Sequence, residues 1–186
     1  MRNSLPKVAS LALLAGALLL PAVPASASAA AVTAKTAAVM DDPFAVFDVK
    51  VKAPKTAKAG GRVNYSIHAT NTGPFSADSY FVGGEFPKSV DLRKIRYRTS
   101  VAKTECFLEG RAFFCFLPKV LEKGDSITMI FETRLKKSAK GTQKATLGVV
   151  SYDVQQGMDN MSKEELDRLG VPEHGYAKTV KTKVVR

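Results

Sequence analysis

Every second residue of Arg62–Thr70 is apolar. Val63, Tyr65, Ile67 and Ala69 fall on one side, and Arg62, Asn64, Ser66, His68 and Thr70 on the other. A period of two belongs to a half-buried antiparallel strand, whose apolar side must find a second layer to pack on. Ser126–Leu135 repeats the pattern, with Ile127, Met129, Phe131, Thr133 and Leu135 inward and Thr128, Glu132 and Arg134 outward. Weaker strand signals mark Phe44–Lys52, Ser79–Glu85, Leu92–Thr99, Gln143–Val154 and Tyr176–Val185. Turn formers separate them: Pro54, Gly60-Gly61, Asn71-Thr72-Gly73-Pro74, Gly83-Gly84, Pro87, Lys123-Gly124-Asp125 and Gly141. Short strands divided this regularly predict an all-β chain folded as a two-sheet antiparallel sandwich.

The two cysteines, Cys106 and Cys115, flank a second apolar stretch. Between them Gly110-Arg111 suits a two-residue hairpin turn of type II′, which needs positive φ at its first central position. About that turn Glu109 meets Ala112, Leu108 meets Phe113, Phe107 meets Phe114, and Cys106 meets Cys115. The cysteines then occupy a non-hydrogen-bonded pair, where Cα atoms approach to about 4.5 Å, within disulfide reach. Leu108 and Phe113 share the cysteine face, while Phe107, Phe114 and Phe116 lie on the other. A redox pair asks for C-x-x-C and a zinc site for four ligands, and this chain has neither, so a structural disulfide is expected.

One helix is expected, in the long connection Gln155–His174. Ser162 and Glu165 make a capping box, and Gly170 with Pro172 stops the helix after about two turns. Function concentrates on loops held by a rigid scaffold. A specific partner is therefore expected to meet this loop, with Met158, Asp159, Met161, Leu166, Leu169 and His174 as candidate contacts.

Residues 1–29 read as an export signal: Arg2 and Lys7, an uncharged run Val8–Leu20, then small residues around Ala27 and Ala29 suited to cleavage. The run falls short of the ~20 residues that cross a bilayer, so no membrane span is expected after cleavage. Residues 30–42 read as a flexible linker and 43–186 as one domain. The expected address is secreted, extracellular or cell-wall associated, where a disulfide persists. Loss of Arg2 and Lys7 with the signal takes the formal net charge from +11 to +9. A protein this basic is drawn to polyanions, which outside a cell include anionic wall polymers. The candidate cations are Arg93, Lys94, Arg96, Arg98, Lys136, Lys137, Lys181 and Lys183. The competing account is a solvated sheet face with edge strands guarded by charge. Nucleic acid is not an expected partner, because no recognition helix or stacking motif accompanies the charge.

Ala59-Gly60-Gly61-Arg62-Val63-Asn64-Tyr65-Ser66-Ile67, followed by Asn71-Thr72-Gly73-Pro74, resembles the opening of the bacterial extracellular repeat module catalogued as domain of unknown function eleven. Phe86-Pro87, the hairpin cysteines, and Leu117, Leu121 and Gly124-Asp125-Ser126-Ile127-Thr128 resemble later parts of that module. The resemblance runs over Phe44–Val185 and implies an immunoglobulin-like sandwich, surface or wall located, often with no known activity. The chain departs from it at Gln155–His174, where the family has a short turn.

No constellation for catalysis stands out. His68 lies on the polar side of a strand and His174 in a loop, and no nucleophile elbow or phosphate-cradling glycine loop occurs. Asp159, Asn160, Glu164 and Glu165 lack the ligand spacing of an EF-hand. Tyr80, Phe81 and Tyr97 read as sandwich core. No enzyme activity, metal or cofactor is expected. Two functional readings follow. One is a non-catalytic surface or wall-associated structural or adhesion module held by polyanions. The other is a soluble secreted protein-binding or inhibitor module presenting the 155–174 loop to a surface or secreted protein.

Overall fold

The computed structural model describes residues 43–185 apart from Gln156 and Asp159. The expected signal and linker lie outside the described residues. Ten strands form: β1 Phe47–Lys52, β2 Thr56–Lys58, β3 Arg62–Asn71, β4 Ser79–Glu85, β5 Arg96–Thr99, β6 Glu105–Glu109, β7 Ala112–Phe116, β8 Ser126–Arg134, β9 Thr142–Tyr152 and β10 Glu173–Val185. One α-helix, α1, spans Lys163–Leu169. The strands make a four-stranded sheet in the order β1-β3-β8-β5 and a six-stranded sheet in the order β2-β10-β9-β4-β7-β6. All pairs are antiparallel except β2 with β10. The first order is the A-B-E-D sheet of the immunoglobulin scheme, and β10-β9-β4 stand as its G-F-C. The fold is an immunoglobulin-like sandwich. Its departure is the β6–β7 hairpin, which follows β5 in the chain and extends the six-stranded sheet beside β4.

The alternation in β3 and β8 does what its period demands. Val63, Tyr65, Ile67 and Ala69 pair in register with Thr133, Phe131, Met129 and Ile127, and all eight are buried between the sheets. Tyr80 and Val82 of β4, Phe113 and Cys115 of β7, and Ala145, Leu147 and Val149 of β9 close that core from the other side. Phe86 sits edge-on between Tyr65 and Phe131, 5.5 Å from each ring.

The hairpin forms in the expected register, Cys106 opposite Cys115 through Glu109 opposite Ala112. The cysteines are bonded, with Cα atoms 4.0 Å apart. Gly110 has φ of 56°, while Arg111 keeps negative φ, as a type II′ turn requires. The helix also begins and ends as expected. The Ser162 side chain accepts from the Glu165 N–H, the Glu165 carboxylate accepts from the Ser162 N–H, and Gly170 closes the helix at φ of 69°.

Two expectations are corrected. Leu92–Thr99 is not one strand, because the Asp91 carboxylate accepts from the Arg93 N–H at 3.2 Å and winds Leu92–Lys94 into a 3₁₀ turn. Only Arg96–Thr99 remains extended. Of the three expected core aromatics only Tyr80 lies between the sheets. Tyr97 is 38% exposed on edge strand β5, its hydroxyl donating to the Thr104 carbonyl, and Phe81 is buried on the outer face of the six-stranded sheet.

Candidate functional site: a basic end and a helix-covered face

Antiparallel pairing gathers four chain segments at one end of the sandwich: 53–61, 86–95, the hairpin turn 110–111, and 135–141. Backbone hydrogen bonds tie them together. Gly60 N–H donates to Lys136 O at 3.2 Å, Lys136 N–H to Ser89 O at 2.7 Å, and Leu135 N–H to Gly61 O at 2.9 Å. The Arg111 guanidinium donates to the Phe86 and Pro87 carbonyls at 3.2 and 2.8 Å. These segments carry Lys55, Lys58, Lys88, Arg93, Lys94, Arg111, Lys136, Lys137 and Lys140, against Asp91 as their sole carboxylate. Asp91 lies 3.7 Å from the Lys94 ammonium.

The expected cations distribute around this end. Arg93 and Lys94 stand in the 3₁₀ turn, Arg96 opens β5, and Lys136 and Lys137 follow β8. Arg98 lies further along β5 and gives its Nε to Glu132 Oε1 at 2.7 Å. Lys181 and Lys183 lie on the other sheet, exposed on β10, with Lys181 directly opposite Lys144. Arg62 and Arg134, outward-facing in the alternation, are not among the eight expected cations. They begin β3 and end β8, and the register sets them face to face.

The 155–174 connection lies on the outer face of the six-stranded sheet. There Phe81, Tyr152 and Leu166 form a second buried cluster, with Phe107, Phe114, Phe116, Met158 and Met161 packed around it. Leu166 is fully buried, Met158 and Met161 half-buried, and Leu169 53% exposed. His174 is the second residue of β10 rather than a loop residue, its Nε2 2.9 Å from Asp153 Oδ2. Asp159 is outside the described residues. Beside α1 an open groove of about 390 Å³ is walled by Phe81, Phe107, Phe116, Pro118 and Met161.

Lys163 locks α1 to the sheet. Its side chain is 8% exposed, with Nζ 2.8 Å from Asp167, 3.4 Å from Glu109 and 3.8 Å from Glu173. It also stands 5.9 Å from the ring centroids of Phe114 and Tyr152. Burial opposes its charge, but the Asp167 hydrogen bond and the three carboxylates outweigh burial and hold its pKa above the ordinary lysine value. Burial likewise opposes the Asp167 charge, and hydrogen bonds from Lys163 and Tyr152 hold that carboxyl below its usual range. Burial, followed by Asp167 and Glu173, pushes the Tyr152 hydroxyl up. This is a satisfied ion cluster.

His68 Nδ1 meets Thr128 Oγ1 at 3.1 Å, and His174 Nε2 meets Asp153 Oδ2 at 2.9 Å. Among the described residues no group of three or more His, Cys, Asp or Glu is arranged to hold a metal ion, and no helix is long and apolar enough to cross a membrane.

No protein-family model matches the chain, and no curated protein does. Solved structures are similar to part of the chain. A cohesin module from a Clostridium perfringens family 33 glycoside hydrolase is 10% identical, with 75% of this chain and 97% of that one covered at a TM-score of 0.45. The collagen-binding domain of a Staphylococcus aureus adhesin is 6% identical, covering 77% and 99% at 0.40. AvmM, which catalyses macrocyclization in alchivemycin A biosynthesis, is 14% identical, covering 78% and 90% at 0.48. At this distance the likeness assigns no activity.

Proposed function

We propose that the chain is an exported, non-catalytic surface module, held at an anionic matrix such as a cell-wall polymer by the basic end of its sandwich. The observation that carries this reading is that nine cations and one carboxylate, Asp91, fall in the four loop segments gathered at that end, with Glu85 and Glu109 bordering them at the strand ends. A field of one sign concentrates polyanions and weakens with salt. The export signal and the likeness to the domain of unknown function eleven support the address.

The test is sedimentation of the mature protein with purified cell wall over a salt series. Binding is expected at low ionic strength and is expected to fall steadily through 0.15 M, where the Debye length is about 8 Å. No binding at low salt overturns the reading. Deleting 158–169 is expected to leave wall binding in place, whereas a soluble binder presenting that loop loses its partner.

A further inference from the structure

Arg62 and Arg134 are directly opposed on neighbouring strands, on the face turned to solvent. Like charges so placed repel and destabilise a sheet. Opposite charges placed across strands stabilise instead, and this sheet holds such a pair two residues earlier in β8. There Glu132 sits opposite Arg96 and binds Arg98 at 2.7 Å. That bond engages the one carboxylate that also lines the groove between these residues. The groove encloses about 230 Å³ and is bounded by Arg62, Lys94, Arg96, Arg134, Glu132 and Thr133. Thr133 turns its hydroxyl away, to the Val63 carbonyl at 2.8 Å. Arg134 is held in place, its Nε donating to the Gly60 carbonyl at 2.8 Å, which leaves its terminal nitrogens for a further acceptor. Arg62 has no carboxylate partner among the described residues.

We propose that this groove seats a phosphoryl group, presented by a phosphate-bearing extracellular polymer. A planar carboxylate is satisfied by one guanidinium fork, in a single plane. Here four cations, from β3, β8, β5 and the 3₁₀ turn, line one groove, more than a single carboxylate can engage. A tetrahedral anion offers oxygens in several directions, and guanidinium forks suit them. The bound anion also neutralises the Arg62–Arg134 repulsion, so binding and sheet stability are linked. The proposal rests on the wall-retention reading and narrows it from net charge to one seat.

The test is calorimetric titration of the full mature protein with sodium tripolyphosphate, and with a trimeric uronate as the carboxylate counterpart. The wild type is compared with Arg62→Gln/Arg134→Gln and with Lys137→Gln/Lys140→Gln, which removes equal charge outside the groove. Thermal melts establish that each variant is folded. The expected result is about a tenfold loss of tripolyphosphate affinity in the arginine pair, less than about threefold in the lysine pair, and uronate binding at least about tenfold weaker than tripolyphosphate. Equal loss in both pairs overturns the seat while leaving charge-driven wall retention standing. Uronate binding as tight as tripolyphosphate overturns the phosphoryl assignment. A protein that binds neither tripolyphosphate nor purified wall at low salt overturns both readings. Binding to phosphatidylglycerol vesicles but not to soluble tripolyphosphate assigns the charge to a lipid surface and overturns the polymer.

Discussion

Lys163 and Arg62 are both cations on the outside of the same sandwich, and they keep opposite company. Lys163 is nearly buried and answered by Asp167, Glu109 and Glu173, with two aromatic rings completing its surroundings. Arg62 is exposed and faces Arg134. On the helix-covered face the buried lysine and the carboxylates around it meet partners within the chain. At the basic end, among the described residues, only Lys94 meets a carboxylate, Asp91, while Arg111 and Arg134 reach backbone carbonyls. A charge cluster on a folded protein is thus read by whether its members are answered, more than by how many there are. That distinction bears on function, because an answered cluster stabilises the fold and an unanswered one costs stability until a ligand arrives.

The comparison is broken if disturbing the helix-covered face also abolishes retention at the basic end. Leu166→Ala removes the fully buried anchor of the outer layer. It is expected to cost about 2–5 kcal/mol by denaturant unfolding, as buried leucine truncations do. Wall sedimentation should stay at the wild-type level, and a parallel loss would place the binding surface under the helix. Cys106→Ala/Cys115→Ala is next. The bridge closes a loop with a sequence separation of 9, so its removal should cost about 2–3 kcal/mol. Hydrogen exchange should rise first in β6 and β7, which supply Phe107, Phe114 and Glu109 beneath α1. Uniform exchange across both sheets would show that the hairpin is not a separate unit.

Lys163→Met sharpens the contrast, because it removes the one cation that three carboxylates share. Breaking a buried pair costs about 3–5 kcal/mol, but Asp167, Glu109 and Glu173 are 41–56% exposed, so about 1–3 kcal/mol is expected after allowing for screening. The dependence on pH has a defined sign. The Asp167 carboxyl is held below its usual range, so its contribution is present above the unfolded value of about 3.9 and is lost as pH falls through the lower folded value. The Lys163 pKa is raised, so its contribution is complete below about 10.4 and is lost as pH rises through the higher folded value. Protection of the 158–171 segment should therefore hold across neutral pH and fail at both extremes. In Lys163→Met the deficit relative to wild type should shrink in acid, once the carboxylates are protonated. A deficit constant from acid to neutral pH would make Lys163 a packing residue only.

These two regions also differ in how well the sequence announces them. Strict alternation in Arg62–Thr70 and Ser126–Leu135, and Gly110 between evenly spaced cysteines, specify register, because a period-two pattern admits one core face. The outer layer was hidden behind that same pattern. Tyr80-Phe81, Phe113-Phe114 and Val149-Val150 are apolar doublets in which one member points to each side. Such doublets indicate a strand covered on both faces. They give the outer-layer apolar residues of the helix connection a surface to pack on, rather than leaving the loop projecting. Asp91 hid a 3₁₀ turn by capping it locally, which no alternation test detects. Arg62 and Arg134 were legible as outward-facing, but that they oppose each other depends on how two strands far apart in sequence are paired. The ion cluster at Lys163 likewise joins β6, α1 and β10, and only the folded chain brings those together.

The smallest effect carries the most telling sign. Arg62→Gln keeps much of the side-chain stem, which covers apolar surface, and removes one of two opposed like charges. Most substitutions destabilise; this one is expected to stabilise, by about 0.2–1 kcal/mol, the range for cross-strand charge pairs. The gain should be largest at low salt and should vanish near 1 M, where the Debye length is about 3 Å. Urea midpoints measured at both salt concentrations separate this from a packing effect, which salt leaves largely alone. Saturating tripolyphosphate should close the gap from the other side, raising the wild type and leaving Arg62→Gln nearly still, since a ligand stabilises only the state that binds it. A variant less stable than wild type at low salt would mean that Arg62 is already answered within the chain, as Lys163 is.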